Sequence, residues 1–206
     1  MNIDSKLTIL DQVYAIYDKV ASSQELACQK KCDHCCTSGV TLTTLEGYKI
    51  VEHLIPDTET DVIHKIQLAP EIERFRPQIT TNRLAQLCAA GVEPPEETAD
   101  LNQQACPLLS DHQCPIYQLR PYGCRCLVSH HNCGEKGYAE IDDFILSVNT
   151  VFLQIIEHVD AGGCSGNLAD VLQTMSSKQN RQAYGNDALH CSSNGLIPNQ
   201  PLEVLM

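Results

Sequence analysis

Residues 28 to 36 read CQKKCDHCC, with thiols at Cys28, Cys32, Cys35 and Cys36. Residues 106 to 133 read CPLLSDHQCPIYQLRPYGCRCLVSHHNC and add Cys106, Cys114, Cys124, Cys126 and Cys133. Thiols this close can be disulfide partners, ligands of a metal or iron–sulfur cluster, or redox-active groups. Short loops favour the second use, because a thiolate cage needs backbone free to aim each sulfur inward. A closed zinc site takes four such ligands at about 2.3 Å, and iron–sulfur clusters also take four thiolates. The cation keeps its thiols deprotonated and offsets the repulsion between neighbouring sulfurs. Without a metal, such a run of thiols adds oxidation risk and no packing gain.

Composition supports the metal reading. At 206 residues the chain can bury a core without disulfides to compensate for a missing one. No apolar run is long enough to span a bilayer, so no membrane association is expected. The start, MNIDSKLTILDQVY, lacks the basic and apolar regions of a secretory signal. The expected location is therefore the cytoplasm, where thiols stay reduced. Twelve cysteines there read as metal ligands before disulfides, and adjacent Cys35 and Cys36 pair poorly with each other. A net charge of −12 argues against nucleic acid, which requires a basic face, and suits solubility instead. No protein partner is indicated.

The remaining candidates carry weaker signals. Cys88, in RLAQLCAAG, reads as a small buried apolar residue at a helix end. Cys191, in HCSSNG, reads as unpaired, and Cys164 after a double glycine stays undecided. His130 and His131 are candidate ligands by proximity to Cys133, whereas His34 reads as a solvated loop residue. No nucleophile motif and no HExxH spacing supports hydrolysis.

The pairing of C-x3-C-x2-CC with a later CPLL…C-x-IY-x-x-RP-x-x-CR resembles the YkgJ-type cysteine-cluster family, described as zinc- or iron-chelating domains. The matching positions are the first four thiols, then Cys106, Pro107, Leu108, Cys114, Ile116, Tyr117, Arg120, Pro121, Cys124 and Arg125, with Glu46 where such proteins carry a helix-initial glutamate. Two features depart from the pattern. The first gap is three residues where many relatives have two, and position 126 is cysteine where an aromatic or aliphatic residue is usual. The eighth ligand is then Cys126 or Cys133, and Cys133 is favoured because Cys124 and Cys126 in an extended turn would point to opposite sides. The resemblance implies chelation of zinc or an iron–sulfur cluster by Cys28, Cys32, Cys35, Cys36, Cys106, Cys114, Cys124 and Cys133. It supplies no reaction, although some relatives are linked to protein lysine N-methylation. Cys28, Cys32 and Cys35 also have the spacing of radical S-adenosylmethionine enzymes, which need a β/α barrel that this sequence does not outline. Arg120 and Arg125 fall beside the anionic cage. They either bond cluster sulfurs and nearby carbonyls as cofactor-binding groups or form surface salt bridges.

The elements that must position these loops read as helices. Residues 5–22 place Leu7, Leu10, Val13, Tyr14, Tyr17 and Val20 on one stripe. VTLT at 40–43 suits a short strand, and Thr43 with Glu46 forms a capping box for a helix ending at Pro56. Residues 58–90 predict one or two helices broken near Pro70 and Pro77 and stopped at Gly91. A polar loop follows at 92–104. The clearest stripe runs from Ile141 to Val159, and a shorter helix covers roughly 167–176 before a polar tail. The expected fold is mostly α, a small helical domain with two cysteine-rich metal-binding loops and little or no sheet. Residues 1–165 form the cluster domain, and 166–206 a helix and tail of the same domain. The N-terminal and 140–160 helices are expected to pack together and hold both loops at one end.

Overall fold

The computed structural model describes residues 1–28, 31–54, 56–69, 74–97, 104–191 and 195–202. Its main elements are α1 (Ile3–Ser22), β1 (Thr41–Thr43), α2 (Thr44–Glu52), α3 (Pro56–Gln67), α4 (Thr81–Ala89), α5 (Tyr122–Arg125), α6 (Cys133–Lys136), α7 (Asp143–Val159), β2 (Cys164–Asn167), α8 (Leu168–Ser176), α9 (Lys178–Gly185) and β3 (Ile197–Pro198). The fold is mostly α, as the periodicities predict.

Caps and stripes explain the main helices. Asn2 accepts the Ser5 amide at 2.9 Å to start α1, which turns Leu10, Val13, Tyr14 and Tyr17 inward. Asp142 does the same for α7, accepting from Ile145 at 2.8 Å. These two helices pack together through Tyr17, whose ring meets Phe152 edge-on at 5.4 Å and whose hydroxyl donates to Asn149 at 3.0 Å. α2 lies against α8, burying Leu45 and Ile50 with Leu172 and Met175. Each such side chain contributes about 2 kcal/mol when removed from water.

Several boundaries differ from the sequence reading. Pro56 opens α3 where it was expected to close α2, which ends at Glu52; proline fits the first helical turn, where its missing N–H costs nothing. Pro70 lies outside the described residues. Gly91 does stop α4, with a φ of 66° that glycine adopts freely. α9 falls within the expected polar tail. It has no apolar stripe to announce it, and its contact with the core is Tyr184.

The strands form one small antiparallel sheet ordered β1-β2-β3, with Thr41 opposite Asn167 and Cys164 opposite Pro198. Fully buried Asp160 locks this corner. Its carboxylate accepts from Thr44 Oγ1 at 2.8 Å, Leu45 N at 3.1 Å, Asn199 Nδ2 at 2.9 Å and the Tyr184 hydroxyl. Burial pushes its pKa up to about 6 against the pull of these donors. The contacts join the end of α7, the start of α2, α9 and the returning tail.

Two cysteine expectations are overturned here. Cys191 is not free: it is disulfide-bonded to Cys164, 27 residues away, which takes the undecided Cys164 sulfur out of any metal site. The pairing of β2 with β3 brings the returning chain beside fully buried Cys164. Cys88 is exposed, because it shares the outward face of α4 with Leu84 four residues earlier, while Asn82 faces inward. Cys191→Ser is expected to cost about 2–3 kcal/mol by releasing the closed loop. Urea melts of both proteins would show a midpoint shift of that size, and coincident melts would refute it.

Candidate metal centre

Three backbone contacts bring the two cysteine segments side by side. The Cys106 amide donates to the Cys36 carbonyl at 2.9 Å, and the Ser38 amide to Gln104 at 2.7 Å, around a bridge between Thr37 and Ala105. On the other flank, the Ala27 amide donates to Ser129 at 2.9 Å. The first loop therefore lies between the two ends of the second segment, directly after the C-terminus of α1.

Within the second segment, a tight hairpin sets Cys106 and Cys114 together. Ser110 and Gln113 exchange both backbone hydrogen bonds at 3.0 and 2.8 Å around Asp111 and His112. Both central residues have positive φ, 48° and 61°, as a turn matched to strand twist requires. Asparagine–glycine would signal this turn plainly; Asp-His does not, so the sequence reading missed it. His112 also bonds Asp33 of the first loop at 2.7 Å, an exposed contact across the two segments. One 3-10 turn at Tyr117–Leu119 follows, and Arg120 is extended at φ −51°, ψ 136°, as its following proline dictates.

The turn carrying Cys124 is helical, not extended, as α5. Glu46 anchors it. One carboxylate oxygen accepts the Tyr122 amide at 2.7 Å and the Tyr14 hydroxyl at 2.6 Å, while the other accepts the Thr43 amide at 2.8 Å within the capping box. Asn149 of α7 accepts from the Tyr122 hydroxyl at 3.3 Å and donates to the Cys126 carbonyl at 3.1 Å. Gly123 lets α5 touch β1, since a side chain there would overlap the Thr41 carbonyl. The capping-box role of Glu46 is legible in the sequence; its grip on Tyr14 and Tyr122 is not, because those partners are distant in the chain.

The thiols divide between two neighbouring cavities. A cleft of about 430 Å³ is lined by Cys28, Cys32, Cys35, Cys36, Cys106, Cys114 and Cys124, together with Arg120, Arg125 and apolar residues including Leu108, Ile116 and Leu168. A smaller cavity of about 230 Å³ touches Cys28, Cys32, His34, His131 and Cys133. Cys126 lines neither; its Sγ lies 3.6 Å from the Gly123 carbonyl to which it donates. Even on a helical turn, side chains two apart differ by roughly 200°, so Cys124 and Cys126 still face opposite ways.

The adjacent pair separates in role. The Cys35 thiol donates to Cys36, which raises the pKa of Cys35 and lowers that of Cys36. The Cys36 sulfur feels Cys106, Cys124 and Cys114, whereas Cys28 feels Cys35, Cys32 and Cys133. Burial pushes Cys28, Cys106, Cys114 and Cys124 above the ordinary thiol range, and Cys126 up to about 12. Metal-free, these groups hold their protons, and a bound cation must displace them.

The two arginines differ in setting. The Arg120 guanidinium stacks over Tyr117 at 4.1 Å and draws the pKa values of Cys35 and Cys114 downward. Arg125 donates to Asp18 at 3.1 Å and to the Arg120 carbonyl at 3.0 Å, and lies over Tyr14 at 4.3 Å. It ties the 120–125 turn to α1. Both candidate histidines have other partners: His130 bonds the Glu25 carbonyl and Asp142, and His131 bonds Glu140 and the Tyr138 carbonyl.

The donor set is soft and thiolate-rich, which fits zinc or iron. Among the described residues no three His, Cys, Asp or Glu side chains already surround one ion-sized point. The sheet contains no β/α repeat, so the barrel of radical enzymes is absent among the described residues. No described helix is long and apolar enough to cross a membrane.

Comparison with known families finds one match. Residues 27–143, more than half of the chain, match the family model CxxCxxCC, whose description is "putative zinc- or iron-chelating domain". No curated protein and no solved structure matches.

Proposed function

The chain belongs to the CxxCxxCC family of zinc- or iron-chelating domains, and on that premise we propose that Cys28, Cys32, Cys35, Cys36, Cys106, Cys114, Cys124 and Cys133 hold zinc or an iron–sulfur cluster between the two segments. The carrying observation is the Cys106–Cys36 backbone hydrogen bond, which places thiols from distant parts of the chain around one cleft. Arg120 supplies positive charge at the rim, favouring the anionic thiolate cage. Arg125 acts through the backbone, holding the turn that presents Cys124. The bound metal supplies either a structural cross-link or an electron-carrying centre, depending on whether zinc or iron–sulfur is resident.

Anaerobic purification followed by metal quantification per chain tests this reading. The expected outcome is stoichiometric zinc in colourless protein, or iron with acid-labile sulfide in brown protein. Protein that carries neither metal and takes up neither zinc(II) nor a reconstituted cluster would overturn it.

A further inference from the structure

The smaller cavity shares Cys28 and Cys32 with the cleft and adds Cys133 and an imidazole. Cys28, Cys32 and Cys133 reach it from two segments, and the His34 imidazole closes its rim. His34 is seated against the backbone of Gly134, where any side chain would overlap its ring. Its ring nitrogens have no hydrogen-bond partner among the described residues, whereas both nitrogens of His131 are engaged by Glu140 and Tyr138. The backbone also defines the cavity: Asn132 caps α6 by accepting the Gly134 amide at 3.0 Å, which fixes the turn presenting Cys133. Cys36, Cys106, Cys114 and Cys124, already four thiols, line the cleft and do not reach this cavity.

We propose that Cys28, Cys32, Cys133 and His34 form a second centre, a three-thiolate, one-imidazole site for a single zinc ion, separate from the metal held by Cys36, Cys106, Cys114 and Cys124. This rests on the metal-binding reading above and divides seven of its eight thiols between two centres. Three thiolates and one imidazole match a closed tetrahedral zinc site. Iron–sulfur clusters most often take all-thiolate ligation, so the mixed set favours the mononuclear ion. On binding, the three thiols release their protons to solvent and neutral His34 donates a ring lone pair. Cys35 lines the cleft, not the smaller cavity, and takes no part in the second centre.

The test uses the full chain, purified anaerobically, with metal per chain measured before and after addition of zinc(II), and cobalt(II) as a spectroscopic probe. His34→Ala and Cys133→Ser are each expected to lose one zinc equivalent while keeping the cleft metal and the wild-type helical signal. His34→Cys is expected to retain that equivalent and shift the cobalt spectrum toward four-thiolate character. Wild-type zinc content and an unchanged cobalt spectrum in His34→Ala would overturn the second centre alone. Loss of all metal in Cys133→Ser would do the same, since it would make the thiols one site. Wild-type protein that binds no metal under any of these conditions would overturn both the second centre and the function proposed above.

Discussion

Cys124→Ser is expected to lose the cleft metal and to lower the melting temperature by at least about 10 °C. In such sites metal binding energy is folding energy, and each kcal/mol lost moves the melting point of a chain this size by about 2–4 °C. Cys124 is half-buried and lines the cleft with Cys106, Cys114 and Cys35, so a serine hydroxyl there replaces a soft ligand with a poor one. The damage should be local. Leu108, Ile116 and Tyr122 enter the core from the second cysteine segment, whereas Leu45, Ile50, Leu172 and Met175 come from the α2–α8 pair. Circular dichroism should thus retain most helical signal while hydrogen exchange rises across residues 104–128. Full metal content with an unchanged melt would remove Cys124 from the site.

Glu46→Ala is expected to destabilise the protein by upwards of about 4 kcal/mol, although the residue ligates nothing. Its carboxylate accepts from Tyr14, Thr43 and Tyr122 in an environment where Glu46 is only 2% exposed. Removing it strands these donors without water. Glu46→Gln should be milder but still costly, because an amide nitrogen must face one set of donors. Glu46→Ala also frees the Tyr122 amide two residues before Cys124, so metal retention should fall alongside stability. Glu52→Gln serves as the contrast: its partner Arg181 is a surface pair and should shift stability by less than about 1 kcal/mol. Equal urea midpoints for the Glu46 and Glu52 variants would refute this role.

Local signals carried the helices well and the site in part. The stripes of α1 and α7, the capping box of α2 and the stop at Gly91 each depend on residues within a few positions of one another, so spacing alone reveals them. The two cysteine runs were equally plain. What stayed hidden depends on distant partners or on weak turn chemistry. β2 is CSGN, with no alternation and no large apolar residue, and exists because β1 and β3 flank it. The Cys164–Cys191 bond follows from that pairing and has no signature of its own. Cys88 reads as core because free cysteine behaves as a small hydrophobe; which face of α4 points outward is set by packing against α7. His34 does lie exposed in a turn, as a solvated loop residue should, but its packing against Gly134, a hundred positions on, has no local signal.

The hydrogen bond between Cys36 and Cys106 spans 70 positions, and that distance is also an interval of time. At about 5–20 residues per second, synthesis leaves the first four thiols waiting roughly 4–14 s before even Cys106, the first thiol of the second segment, is made. During that wait they form a nascent CxxxCxxCC segment, exposed and reactive, able to capture a stray ion in the wrong arrangement or to oxidise. On the proposed ligand set, loading cannot be completed before the second segment emerges, and protecting the first thiols from oxidation and stray ions is a task of those seconds.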